Sequence, residues 1–163
     1  MELDVLIADY HHPKHGLDMA YLLDSYAKDP MGGGAPIAAA ITDNLALSLS
    51  KLPHAFTVLC YVENQPAGLI NCFETFSTFK GMPLINIHDV IVLKDFRGLG
   101  LSQLMLEKVE GIAKQRGCCK LTLEVLEGNE VAQHSYKKFG FEGYELDPAM
   151  GKAVFWKKSL NGI

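Results

Sequence analysis

The sequence predicts a mixed α/β domain, and three observations carry that expectation. Two helix-spaced runs lie near the N-terminus. A block of strand-like runs joined by short turns follows them. The second half then alternates strand, helix, strand and helix before two closing strands. A chain of 163 residues suits one domain, residues 1–163, and a domain of that size buries about two-thirds of its unfolded surface.

The elements follow in chain order. LDVLIA (3–8) reads as a short strand, and Leu17, Ala20, Tyr21, Leu23 and Ala27 mark a helix over 17–28, stopped by Asp29-Pro30. MGGGAP (31–36) fits neither helix nor strand. A second helix is expected from Ile37 to Leu52, ended before Pro53. FTVLCYVE (56–63) and AGLINCFETFST (67–78) flank Asn64-Gln65-Pro66 and should pair as antiparallel neighbours. LINIHDVIVL (84–93) is a β-branched strand, LSQLMLEKVEGIAKQR (101–116) a helix closed by Gly117. CKLTLEVL (119–126) reads as a buried strand and EVAQHSYKKFG (130–140) as a helix. FEGYEL (141–146) and AVFWKKSL (153–160) are the closing strands. The total is about seven strands and four helices.

Composition narrows the function. The net charge of -4 argues against duplex nucleic acid, whose phosphates are bound by Lys and Arg. No apolar run reaches the roughly 20 residues of a membrane helix, and the N-terminus lacks a basic-then-apolar signal pattern. Cys60, Cys72, Cys118 and Cys119 have no metal-ligand spacing, and Cys60 and Cys72 read as small core residues. A reducing, cytoplasmic setting is the simplest account. His11, His12 and His15 cluster in HHPKH, read as a loop with solvated imidazoles, and no metal is expected there.

The informative stretch is DVIVLKDFRGLGLSQLMLEKV (89–109), a strand running into a glycine loop that opens a helix. Gly98 and Gly100 leave room for a ligand and can take positive φ. The first helical turn carries unpaired N–H groups and the positive end of the dipole, suited to phosphate. Arg97 adds a cation, and Ser102 offers a hydroxyl or a cap. A P-loop pattern is absent. The dinucleotide fingerprint lacks its third glycine, because Gln103 stands there, although Glu124 lies at about the distance of a ribose-binding acid. A plain turn without a ligand is the remaining bare reading.

Arg97-Gly98-Leu99-Gly100-Leu101-Ser102 resembles the R/Q-x-x-G-x-G/A motif of the GNAT acetyltransferase superfamily, with Ser102 where glycine or alanine is usual. LEVLEGNEVAQHSYKKFGF (123–141) is similar to that family's later strand, Asn-containing loop and helix ending in Tyr-x-x-x-Gly-Phe. The likeness covers about residues 56–141 and is greatest to single-domain amine acetyltransferases, including the diamine branch. That branch carries an acidic residue and Asp where this chain has His88-Asp89.

The resemblance implies a central, mostly antiparallel mixed sheet with a splayed parallel pair, 84–93 and 119–126. It implies acetyl-CoA as co-substrate and direct attack by a primary amine of a small molecule or peptide. Backbone groups of Val90, Ile91 and Val92 would hold the pantetheine. Amides of Leu99, Gly100, Leu101, Ser102 and Gln103, with Arg97 and Gly98, would hold the pyrophosphate. Asn129, Ala132 and Lys138 would reach the rest of the cofactor. Tyr136 aligns with the family's general acid toward the leaving thiolate. A homodimer is common among relatives. An acyl-CoA sensor without chemistry, or a dinucleotide-binding protein, is the alternative.

A base is also needed, because an amine of pKa about 10 is mostly protonated at neutral pH. His88 is one candidate, imidazole being the side chain that changes charge near neutrality. Alternation puts it on a face with Asn86 and Val90, and Asp89 with Ile87 and Ile91. Glu74 on the neighbouring strand is a second candidate, or a solvent-facing residue. Phe73, Phe76 and Phe79 read as core or hairpin packing before a substrate cage. The MGGGAP loop is either an acceptor gate or a connector.

Overall fold

A computed structural model describes residues 1–143 and 147–162. Strands β1 (Leu3–Ile7), β2 (Ala55–Val62), β3 (Gln65–Ser77) and β4 (Met82–Val92) lie side by side and antiparallel, and β5 (Leu121–Leu123) joins β4 in parallel. Helices α1 (Pro13–Lys28) and α3 (Leu45–Ser50) cover one face of this sheet, with the short α2 (Ala39–Thr42) between them in sequence. Helices α4 (Leu101–Gln115) and α5 (Glu130–Phe139) cover the other.

Strand alternation divides the core in two. Phe56, Val58, Cys60, Ile70, Cys72, Ile85 and Ile87 meet Leu101, Met105, Leu106, Val109 and Ile112 of α4. On the opposite face Leu59, Tyr61, Leu69 and Ile91 meet Met19, Leu22 and Leu49. Gly68 lets α4 come close, since a Cβ there would lie 2.6 Å from the Ile91 carbonyl oxygen and 2.9 Å from Met105 Cε.

The mixed α/β class with one parallel pair is as expected; the sheet, however, has five strands among the described residues. Residues 141–143 form no strand, and 144–146 of the expected FEGYEL strand lie outside the described residues. AVFWKKSL also forms none, and its Val154, Phe155 and Trp156 are exposed. A strand needs an edge to pair with, and three-residue β5 offers little. CKLTLEVL is strand over Leu121–Leu123 alone and only half-buried, because β4 parts from it after Ile87.

Smaller differences have local causes. The 37–52 helix breaks at Asp43-Asn44, residues whose side chains compete with helical hydrogen bonding. HHPKH is not all loop: Pro13 takes the first helical position, and His12 Nδ1 accepts from the Lys14 amide at 3.2 Å as N-cap. The β2–β3 connection is the two-residue turn Glu63-Asn64, both at positive φ, one residue earlier than Asn64-Gln65-Pro66.

Candidate active site

The parallel pairing covers only Ile85–Leu121, Asn86–Thr122 and Ile87–Leu123. Beyond it β4 continues to Val92 with β3 alone as neighbour, so the edge of Val90, Ile91 and Val92 toward β5 has no strand partner among the described residues. In the loop that follows β4, Gly98 and Gly100 stand at φ 81° and 77°, with open space where each Cβ would be. Gly100 is the N-cap of α4, without a capping side chain. The first α4 amide to find a carbonyl is that of Leu104, on Gly100 O at 3.2 Å; those of Leu101, Ser102 and Gln103 have no acceptor among the described residues. Three free N–H groups at a helix N-terminus, under an unobstructed glycine loop, fit a phosphate group.

The side chains around this cradle brace it. Ser102 Oγ lies 3.0 Å from Ser135 Oγ, and Gln103 Nε2 donates to Ser135 O and Oγ, tying α4 to α5. Asn129 caps α5, its Oδ1 accepting from the Ala132 amide at 3.2 Å. Arg97 Nε donates to Val92 O at 3.3 Å, and its guanidinium stands 3.8 Å from Asp29. Leu99 and Lys138 are exposed.

Tyr136 lies on α5, against the apolar cluster under α4 and edge-on to Phe141. Burial pushes its phenol up to about 12, with a smaller contribution from Tyr26. It is therefore protonated at neutral pH, and its hydroxyl bonds to no described residue.

On the α1 side of the cleft the strand register corrects the expected alternation. Asn71 pairs with Asp89 and Cys72 with Ile87, so His88 is an extra residue, a β-bulge. Val90 and Val92 thereby pack on the α4 face with Ile85 and Ile87, while Ile91 and Leu93 turn to the α1 face. Asp89 bonds Asn71 across the strands, and the exposed His88 ring meets Phe73 edge-on at 5.6 Å. Both His88 and Asp89 thus serve the α1 face. Tyr26 of α1 is close to both sides: burial raises its phenol most, and the Asp89 charge raises it further. A cleft of about 220 Å³ adjoins, lined by Tyr21, Ser25, Tyr26, Asp29, Ile91 and Val92 among others.

Glu74 is not brought to this place. It pairs in register with Ile85, and its Oε1 accepts from Arg116 Nη1 at 3.1 Å at the far end of α4. Phe76 and Phe79 are exposed, and only Phe73 of the three reaches the site. The MGGGAP loop folds back on α1, where a Cβ at Gly32 would collide with the Tyr26 carbonyl. Sequence reasoning missed Tyr26, Asn71 and Thr57. The signal for the last two is a polar residue inside an otherwise apolar strand, in FTVLCYV and LINCF.

A family model described as the acetyltransferase (GNAT) family matches residues 20–141. The chain is 36% identical over 83 residues to thialysine N-epsilon-acetyltransferase of Bos taurus, covering 51% of this chain and 47% of that protein. It spans about half or less of the length of the curated relatives it matches. Among solved structures, an integron cassette protein from V. cholerae superposes with a TM-score of 0.79 at 18% identity, covering 99% of this chain and 95% of that one. The aminoglycoside N-acetyltransferase AAC(6')-Iy in complex with CoA does so at 0.74 and 17%, covering 98% and 96%. At those identities the two structures establish the shared fold.

Proposed function

Because the chain belongs to the GNAT acetyltransferase family, we infer that it transfers an acetyl group from acetyl-CoA to a primary amine of a small molecule or peptide. The observation that carries this reading is the parting of β4 from β5, followed in the chain by the open glycine loop of Gly98 and Gly100 and the free amides that start α4. The curated relative above is named for acetylating an amine, and a neighbour of the same fold is named as a CoA complex, which supports the donor.

Acetyl-CoA supplies a thioester carbon that the amine nitrogen bonds as the C–S bond breaks, the sulfur leaving with the bonding pair. The free amides of Leu101, Ser102 and Gln103, with Leu99, Gly100 and Arg97, hold the pyrophosphate. The unpaired edge of Val90, Ile91 and Val92 holds the pantetheine, and Asn129, Ala132 and Lys138 flank its far side. Tyr136 donates its phenolic proton to the departing sulfur. Burial makes the phenol a weaker acid than in water, so it keeps its proton until charge develops on the departing sulfur. His88, open to water on the acceptor side, takes the proton released by the amine. Glu74 is engaged by Arg116 and has no part in this scheme.

The same reading takes the protein as cytoplasmic, with four free cysteines suited to a reducing compartment. It also takes it as a homodimer, which the exposed Val154, Phe155 and Trp156 support. Calorimetric titration with acetyl-CoA, with NAD in parallel, tests the donor. Saturable binding of acetyl-CoA and none of NAD is expected. Gly100→Glu, which sets a carboxylate in the cradle at a φ of 77°, should abolish it. A folded wild type that binds neither acetyl-CoA nor longer acyl-CoAs would reduce the cradle to a turn.

A further inference from the structure

The side chain of Arg97 is fastened at two points. Its Nε donates to Val92 O at 3.3 Å, and its Nη2 stands 3.8 Å from Asp29 Oδ2. Where Val92 O points follows from the strand. The Leu93 amide donates to Ala67 O at 2.9 Å, so the polar groups of Leu93 face β3. Successive residues of a strand send their polar groups to opposite sides. Val92 O therefore lies on the edge of β4 that β5 leaves uncovered. Arg97 thus rests on the same bare edge that the pantetheine needs, with its guanidinium turned to the end of α1.

The residue at the other end of this contact is fixed in place. Asp29 is the C-cap of α1, and its Oδ1 accepts from the Met31 amide at 3.0 Å. Its carbonyl accepts from the amides of Gly32 and Gly34 at 2.8 and 3.0 Å. Asp29 is half-buried and Arg97 exposed, so the long arginine side chain is the movable partner. Both line the 220 Å³ cleft, where Lys94 and Asp95 are the other charged groups. An ion pair of this length and exposure is weak. A pyrophosphate offers more negative charge and paired oxygens for the guanidinium fork. The guanidinium thus exchanges Asp29 for the donor with gain, but with less gain than if Asp29 were not there.

We propose that Arg97 is a latch shared between Asp29 and the pyrophosphate of the donor, and that Asp29 lowers donor affinity by competing for it. The proposal rests on the acetyl-CoA reading above and adds Asp29, a positioning residue that acts through Arg97 without touching the donor. Entry of the donor draws Arg97 off Val92 O and Asp29, which clears the edge for the pantetheine in the same movement.

The test uses the full chain, calorimetric titration with acetyl-CoA and with CoA, and nitrogen-15 spectra of the arginine side chains. Asp29→Asn keeps an oxygen for the Met31 amide and removes the charge that holds Arg97. It should tighten the Kd for acetyl-CoA about two- to fivefold, the size of an exposed ion pair. In an Arg97→Gln background the same change should do nothing, because the latch is gone. Tightening of equal size in both backgrounds would mean that Asp29 merely repels an anion, and overturns the proposal. An unchanged or weaker Kd in Asp29→Asn alone overturns it too. The chain has two arginines, Arg97 and Arg116, so each Nε–H signal can be followed singly. Saturation with CoA should move the Arg97 signal and leave that of Arg116, which is held by Glu74. An Arg97 signal that stays put at saturation overturns the latch while donor binding stands. A wild type that binds neither acetyl-CoA nor CoA removes the donor reading, and this inference with it.

Discussion

The same strands present two unlike surfaces. Toward α4, β2 and β3 offer Phe56, Val58, Cys60, Ile70 and Cys72, closed by Met105, Leu106 and Val109 with no exposure. Toward α1 the same strands offer Thr57 and Asn71 among Leu59, Leu69 and Tyr61. The two buried cysteines on the α4 face stay protonated thiols: burial pushes Cys60 up to about 11, and Cys72 higher still. Alternation along a strand lets one face serve packing while the other holds polar groups in fixed directions. The α4 face is closed packing beneath the helix that opens at Gly100. The α1 face is the one on which His88 and Asp89 stand.

The comparison can be broken on either side. Leu106→Ala empties a fully buried position of the α4 face, with an expected loss of about 2–5 kcal/mol in urea unfolding and no change of amine KM in the folded enzyme. A change in amine KM would mean that the two faces are not independent.

The smaller effect concerns the α1 face and pH. His15 Nδ1 accepts from the Asp9 amide at 2.9 Å, which requires a neutral ring. Burial, then the stacked His12, hold its pKa below the ordinary imidazole value, while Asp9 and Asp18 act the other way and Lys14 adds a little. The stability from this bond is complete above about pH 6.5 and is lost as pH falls through the lower folded value. Melting temperatures between pH 7 and 5 should fall in the wild type and fall less in His15→Gln. Equal slopes would exclude His15 as the sensor.

Much of the α4 side of the fold was legible in the sequence. The glycine loop, the α4 apolar stripe and the Asn129 cap of α5 each follow from local residue choice, so the cradle could be located before any fold was known. The α1 side was less so. The bulge at His88 depends on which residue of β3 faces which of β4, a register that β4 alone does not encode, and it reverses the side on which Val90 and Ile91 fall. Asn71 meets Asp89 only through that register. Glu74 was a plausible base by strand position, but its carboxylate goes to Arg116, 42 residues away in sequence. The AVFWKKSL pattern suggests a strand because it alternates, yet pairing is a property of two edges, and three-residue β5 offers little to receive it.

The central claim is that Tyr136 of α5 acts on the leaving sulfur and does little to bind the donor. Kinetics and calorimetry on Tyr136→Phe test it most directly. The account predicts a fall in kcat of about 100-fold or more, with the Kd for acetyl-CoA within about threefold of wild type, since the phenyl ring keeps the contact with Phe141. An unchanged kcat, or a loss confined to acetyl-CoA binding, would contradict it and leave Tyr136 as a packing residue of α5.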